Sequence, residues 1–442
     1  MRFLIVLLAG SVCAQTPLTI QEAARAALRR HPSTEAARLR SDAAGARVEQ
    51  ARAGWLPKIN YTESWQRSNN PVFVFSSLLT QRQFGAANFE VGRLNRPDFL
   101  NQFQSVLSVE QTVFDGRQVT GAVRSAELAK VMADEDKRAA EMNAIAAAAR
   151  AYYGLQWAEA NVAAARQARQ SAEADLERAK AIFEAGRSTE ADLLTVQVYL
   201  AASREQEIRR TREREVAEAA LAEALGEGFG QKFVLQTPLT APVADGRAIE
   251  AFETRALSER PEVRQAALSI RVAESQGAMA RGSLLPQVGV RAQFEADRQE
   301  FVNKGGTNWF VGASLRWNLF NGYSDRARIA EASHALAAAR KQEEQLRRAV
   351  GLDIRRAWAE LQSARERIEV SSATIRQAEE SLRITQDRYA NGLSTVTDLL
   401  RSETALAEAR TRRLGALYDA RIAALALELA AGTLTGDSDV LR

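Results

Sequence analysis

The sequence predicts a mainly α-helical protein with a transmembrane β part. Duplicated long coiled-coil helices and four β-strands per chain would complete a 12-stranded barrel and a helical tunnel as a trimer. Three observations carry that expectation. The nine prolines leave residues 98–237 and everything after Pro286 free of proline, room for two long helical segments. Motifs recur between the two halves at fixed offsets. Runs of period-two alternation stand between the helical stretches.

The repeat fixes the organisation. His31-Pro32 answers to Arg260-Pro261 and Leu56-Pro57 to Leu285-Pro286, both at an offset of 229 residues. Phe114-Asp115-Gly116 answers to Phe320-Asn321-Gly322 at 206, as do Gly186 to Gly392 and Asp192-Leu193-Leu194 to Asp398-Leu399-Leu400. The first half therefore carries 229 − 206 = 23 extra residues, all between Pro57 and Phe114. We read a first repeat over 15–226, a linker over 227–246, a second repeat over 247–432 and a tail over 433–442. Gly226, Gly228, Gly230, Pro238 and Pro242 mark the linker.

Each element then follows. Arg2, the apolar run Phe3 to Ala9 and Val12-Cys13-Ala14 read as a secretory signal over 1–14, cut after Ala14. Lipidation of Cys13 is the alternative. Helices are expected at about 17–54, 119–185 and 189–225, and again at about 247–284, 324–390 and 394–431. In the second half Ile354, Leu361, Ile368, Ile375, Leu382 and Tyr389 fall every seven residues. Ala148, Leu155, Val162, Arg169, Leu176 and Phe183 do so in the first, with Arg169 the one break. Small residues follow three positions later, from Ala151 and Ala357 onward, so the helices can approach closely in a left-handed supercoil.

The strands are expected in two hairpins, at 58–114 and 287–320. Val288, Val290, Phe294, Trp309, Val311 and Leu315 alternate with polar or small residues. Ile59, Tyr61, Trp65, Leu107, Val109 and Val113 do so in the first half. Each second-half run spans about 10 residues, enough to cross a membrane when tilted, although a soluble antiparallel sheet with one wet face would show the same alternation. Trp55, Trp65, Trp309 and Trp317 sit in or beside these runs as an aromatic belt would. After the leader no apolar run is long enough for a transmembrane helix. Four strands cannot close a barrel with room inside, whereas three chains supply twelve. The apolar stretch Pro71 to Leu79 reads as a long extracellular loop.

Composition excludes several functions. The chain has 59 basic and 55 acidic residues, a net charge of +4, too balanced to suggest a nucleic-acid partner. Two histidines and one cysteine leave no metal site of those ligands and no disulfide framework. His31 and His334 read as solvent-facing helix residues. No nucleophile elbow, phosphate loop or paired catalytic carboxylates stand out, so neither an enzyme nor a cofactor is expected.

Two helix-turn motifs complete the pattern: Phe183 to Leu194, with Gly186 and Thr189-x-x-Asp192, and Tyr389 to Leu400, with Gly392 and Thr395-x-x-Asp398. Glycine suits a helix C-terminus, and the threonine–aspartate spacing suits a capping box. With the duplicated pattern and the Phe-Asp-Gly and Phe-Asn-Gly motifs, the chain resembles the TolC-like outer membrane efflux proteins. That resemblance covers nearly the whole mature chain. It implies a homotrimer in outer membrane lipid, with a periplasmic tunnel docked by a periplasmic adaptor (membrane fusion) protein and, through it, an inner-membrane pump. It further implies a periplasmic gate at Asp192, Tyr389 and Asp398. Adaptor contacts would fall on Gly186, Arg187, Ser188, Gly392, Leu393 and Ser394. Ser394 stands where a well-studied member has a latch arginine, and Arg401 where it has a second acidic ring. A periplasmic coiled-coil adaptor or scaffold is the alternative class.

Overall fold

The computed structural model describes residues 16–243, 246–302 and 305–442. The expected leader over 1–14, with Cys13, lies outside the described residues. The chain divides into two compact units. One comprises residues 42–132 and 267–341, the other the described residues up to 41 with 133–266 and 342–442.

The first of these units is built on a four-stranded antiparallel sheet in the order β2-β3-β5-β6. The strands are β2 (Lys58–Ser68), β3 (Leu100–Phe114), β5 (Gln287–Arg298) and β6 (Gly306–Arg316). Register places Tyr61 beside Leu107, Leu107 beside Phe294 and Phe294 beside Trp309. One face therefore collects Ile59, Tyr61, Trp65, Phe294, Trp309, Val311 and Leu315, all exposed in the single chain. The other face collects Ser64, Gln104, Asp297 and Asn308. One ion pair interrupts the apolar face near its outer end, Arg298 Nη2 to Glu63 Oε1 at 2.9 Å. Trp55 and Trp317 flank the helix-joined end, and Trp65 and Trp309 stand toward the other. The strand between the two ends, Lys58 to Trp65 and Trp309 to Arg316, runs about 23 Å at the usual rise.

At the helix-joined end both repeats turn alike. Gly116-Arg117 and Gly322-Tyr323 each place two successive residues in the left-handed region, φ 66–69°. A side chain at Gly116 would strike the Gly282 carbonyl, and one at Gly282 the Gly116 carbonyl, so this crossing admits only glycine. The Asp115 carboxylate accepts from the amides of Gln118 (3.0 Å) and Val119 (2.6 Å), capping the first long helix.

The long helices α5 (Gln118–Glu184) and α9 (Ser324–Ala390) are 67 residues each. The return helices are α6 (Glu190–Leu225) and α10 (Val396–Ala430). The expected helices at 17–54 and 247–284 are each broken before a proline. They form α1 (Ile20–Arg30) and α2 (Pro32–Arg52), and α7 (Ile249–Glu259) and α8 (Pro261–Gly282). Proline disfavours helical backbone in the residue before it, and His31 and Arg260 are extended, ψ 128° and 126°. His31 is thus a helix C-cap, 2.7 Å from the Ser33 hydroxyl, rather than a solvent-facing helix residue. His334 lies exposed on α9.

Two further departures concern β1 and α3. Residues Thr16–Leu18 form β1, paired in parallel with β4 (Phe233–Leu235) inside the expected linker. The Tyr152 hydroxyl ties them, donating to the Leu18 carbonyl (3.0 Å) and accepting from the Thr237 amide (2.9 Å). This pair packs with α1, mid-α5 and the ends of α6 and α10 in a core that includes Tyr153, Leu225 and Leu441. The stretch read as an extracellular loop contains a helix, α3 (Pro71–Thr80), with Asn70 as N-cap and proline at its first turn. The short helix α4 (Val91–Asn95) follows it.

Candidate functional site

Both helical turns lie in the helical unit and are built alike. After α5, Gly186 at φ +70° lets its amide donate to the Phe183 carbonyl (2.8 Å) and that of Arg187 to Ile182 (3.0 Å). After α9, Gly392 at φ +74° repeats this with Tyr389 (3.0 Å), and Leu393 with Arg388 (2.8 Å). These bonds satisfy helix-end carbonyls that would otherwise lack partners. Each return helix opens with a reciprocal cap. Asp192 Oδ2 accepts from the Thr189 amide (3.1 Å) and hydroxyl (2.8 Å), and the Asp192 amide donates back to that hydroxyl (3.2 Å). Asp398 Oδ2 does the same with Thr395 (3.2 and 2.7 Å) and also accepts from the Ser394 hydroxyl (3.3 Å).

The two turns meet through an apolar cluster of Ala179, Val196, Leu382, Tyr389, Val396, Leu399 and Leu406. A side chain built on Gly392 would come within 3.7 Å of the Arg187 guanidinium. Gly186, Arg187, Gly392 and Leu393 are exposed, and Ser188 and Ser394 half-buried. The Tyr389 and Ser188 hydroxyls are buried without a hydrogen-bond partner among the described residues.

Electrostatics separate the three expected gate residues. Burial raises the Tyr389 phenol above its ordinary range, and the carboxylates of Asp192 and Asp175 raise it further. Tyr389 and Asp192 are therefore brought together. Asp398 is exposed, and the Thr395 hydroxyl and amide hold its carboxyl below the usual range, with Ser394 and Arg401 adding to this. Its charged neighbour is Arg401 rather than a residue of the first turn.

Sequence reasoning missed two buried acids behind Tyr389. Asp175 is 2% exposed and paired with Arg178 at 2.9 Å. Glu403, 7% exposed, accepts from Gln386 at 3.1 Å. Burial raises both carboxyls; Arg178 opposes this at Asp175, and Asp175 adds to it at Glu403. The usable signal was a break in the repeat, because the position 206 residues after Asp175 holds Ser381 and that 206 before Glu403 holds Gln197.

Among the described residues no helix is long and apolar enough to cross a membrane. The family model described as outer membrane efflux protein matches residues 23–227 and 254–433. The chain belongs to that family. Protein CyaE of Bordetella pertussis is 29% identical over 336 residues, 73% of this chain and 69% of its own. The alkaline protease secretion protein AprF of Pseudomonas aeruginosa is 24% identical, over 92% of this chain and 83% of its own. A membrane protein of Pseudomonas aeruginosa shares the fold at a TM-score of 0.80 and 20% identity, covering 93% of this chain and 92% of that one. The chain is thus an outer membrane channel of tripartite efflux or type I secretion, with a helical tunnel in the periplasm. Its family is one of channels rather than enzymes.

Proposed function

We propose that three copies of this chain close a 12-stranded barrel and that Asp192, Tyr389 and Asp398 shut the tunnel at its periplasmic end. A periplasmic adaptor opens it by engaging the turns at Gly186, Arg187 and Ser188 and at Gly392, Leu393 and Ser394. The work is supplied by an inner-membrane pump, and the channel is a passive duct. We further assign 15–226 and 247–432 to the two repeats, joined by 227–246.

The observation that carries this reading is the pair of open edges, β2 and β6, on a sheet whose outer face is apolar. Unpaired edge groups cost several kcal/mol each in lipid, and pairing β2 of one chain with β6 of the next removes them. At the turns, the unpartnered Tyr389 hydroxyl supports a closure completed by a group from outside the single chain. Asp192 and Asp398 from three chains bring six carboxylates to one aperture, which favours cations.

Electron microscopy of the detergent-extracted protein tests the assembly. A threefold particle is expected, and a monomer rejects the reading. Planar-bilayer recording tests the gate. Tyr389→Phe with Asp192→Ala is expected to raise conductance, and Asp398→Ala to weaken block by divalent cations. Unchanged traces would leave these residues to capping and packing.

A further inference from the structure

The segment between β2 and β3 folds back over the sheet rather than away from it. Gln81, 2% exposed, donates through Nε2 to the Asn101 carbonyl (3.0 Å) and to the Gln102 side chain. Gln102 in turn donates to Asp297, which is fully buried and also accepts from Asn308 (3.1 Å) and Gln104 (3.3 Å). Arg82 Nη2 reaches the Thr307 carbonyl of edge strand β6 (3.0 Å). A side chain on Gly306 would strike the Thr80 carbonyl. Gly306, Asp297 and Gln104 stand in one cross-strand row of the polar face, so α3 is seated on that face.

The helix has two stripes. Val74, Ser77 and the C-cap Gln81 are buried, Gln81 against strand β3. Val72, Phe75 and Leu79, at the same three-then-four spacing, are exposed and wholly apolar. Phe75 is buttressed edge-on by Phe84 at 4.9 Å, and Phe84 by Phe89 at 5.1 Å. An apolar stripe facing a water-filled lumen needs a cover.

On the trimeric reading above, the polar face lines the lumen, and the stripe turned away from the wall points at the threefold axis. Twelve strands about 4.8 Å apart, tilted by about 40°, give a barrel of about 12 Å backbone radius. Three touching helices, each about 10 Å across, span a circle of about 11 Å radius, wide enough to cover the mouth of that barrel though not to enter its bore past the wall's side chains. We infer that the three copies of α3 meet through Val72, Phe75 and Leu79 and close the outer mouth of the barrel with an apolar collar. The occupant of each stripe is the same stripe of the two other chains, related by the threefold axis.

The test uses the full chain, its trimeric state checked by light scattering. Phe75→Cys and Leu79→Cys are oxidised separately, and at least one is expected to yield covalent dimers from the trimer. In intact cells, Ser314→Cys, on the polar face deeper in the barrel, reports access from outside through a maleimide on a bulky polymer. It is expected to react several-fold faster when Val72, Phe75 and Leu79 are all replaced by Asn. A trimer that gives no dimer from either variant, or equal labelling with and without the three asparagines, overturns the collar and leaves the channel reading standing. A chain that forms no trimer overturns both.

Discussion

At the 206-residue offset Tyr389 answers to Phe183, yet Tyr389 is 8% exposed and Phe183 39%. Both close five heptads, counted from Ile354 and from Ala148. In α5 Ile182, the residue before the heptad position, packs against the tip cluster in place of Phe183. In α9 the sevenfold residue is the one that packs. One motif written twice thus puts an aromatic ring in the core of one turn and in solvent at the other, and only the buried ring can hold the turns together.

The sharpest test asks whether the repeats are equivalent where they should be. Leu107 of β3 and Phe294 of β5 are direct cross-strand partners. Arginine at either is expected to abolish outer membrane assembly, at about 2–4 kcal/mol near the midplane. Val290→Arg and Leu315→Arg should follow, while Ser314→Arg on the polar face assembles. Heat-modifiable trimer in outer membrane fractions reads this, and sensitivity in one repeat alone breaks the equivalence. At the turns the repeats should diverge. Tyr389→Ala is expected to cost about 3 kcal/mol and to loosen the tips, as truncation of a buried aromatic does. Phe183→Ala should stay within about 0.5 kcal/mol, a surface change. Calorimetry and limited proteolysis separate the two, and equal losses would show that the difference in burial does not matter.

Smaller effects should again be matched. Thr189→Ala and Thr395→Ala each remove an N-cap and should cost about 1 kcal/mol, read as faster amide exchange in the first turn of α6 or α10. The last prediction concerns pH. Asp175 and Glu403 have carboxyls raised by burial, so the folded chain binds protons more tightly than the unfolded one. Their contribution to stability therefore improves as pH falls through the raised values and is least above them. Amide protection factors at the turns, in which the base-catalysed intrinsic rate is divided out, should rise on acidification from neutral pH. Asp175→Asn with Glu403→Gln should remove that dependence, and a dependence unchanged by both substitutions would assign it elsewhere.

Much of the fold was legible because its signals are long. Sixty-seven-residue helices carry many heptads, and strands of 11 or more residues show their alternation plainly. What escaped was short or non-local. Strand β1 has three residues, too few for a period, and its partner Phe233 lies 217 positions from Thr16. Helix α3 was masked by composition, since Val, Phe and Leu dominate it, although Asn70 before Pro71 is a helix-start pair. The turns themselves were readable from Gly186, Gly392 and the threonine–aspartate spacing. Asp175 and Glu403 were not, because a seam read only for its apolar members treats the charges between them as solvated.

The caps also bear on how charge is shared within a carboxylate. At both turns it is Oδ2 of the aspartate that meets the helix. On the proposed gate the second oxygen of Asp192 or Asp398 would be left to face the aperture, so closing the helix end and coloring the pore's potential would be divided between two atoms of one side chain. Asparagine can keep the first task and lose the second, whereas alanine loses both. A pore tuned by exchanging Asp for Asn at these positions would change its ion preference without unwinding its own rim.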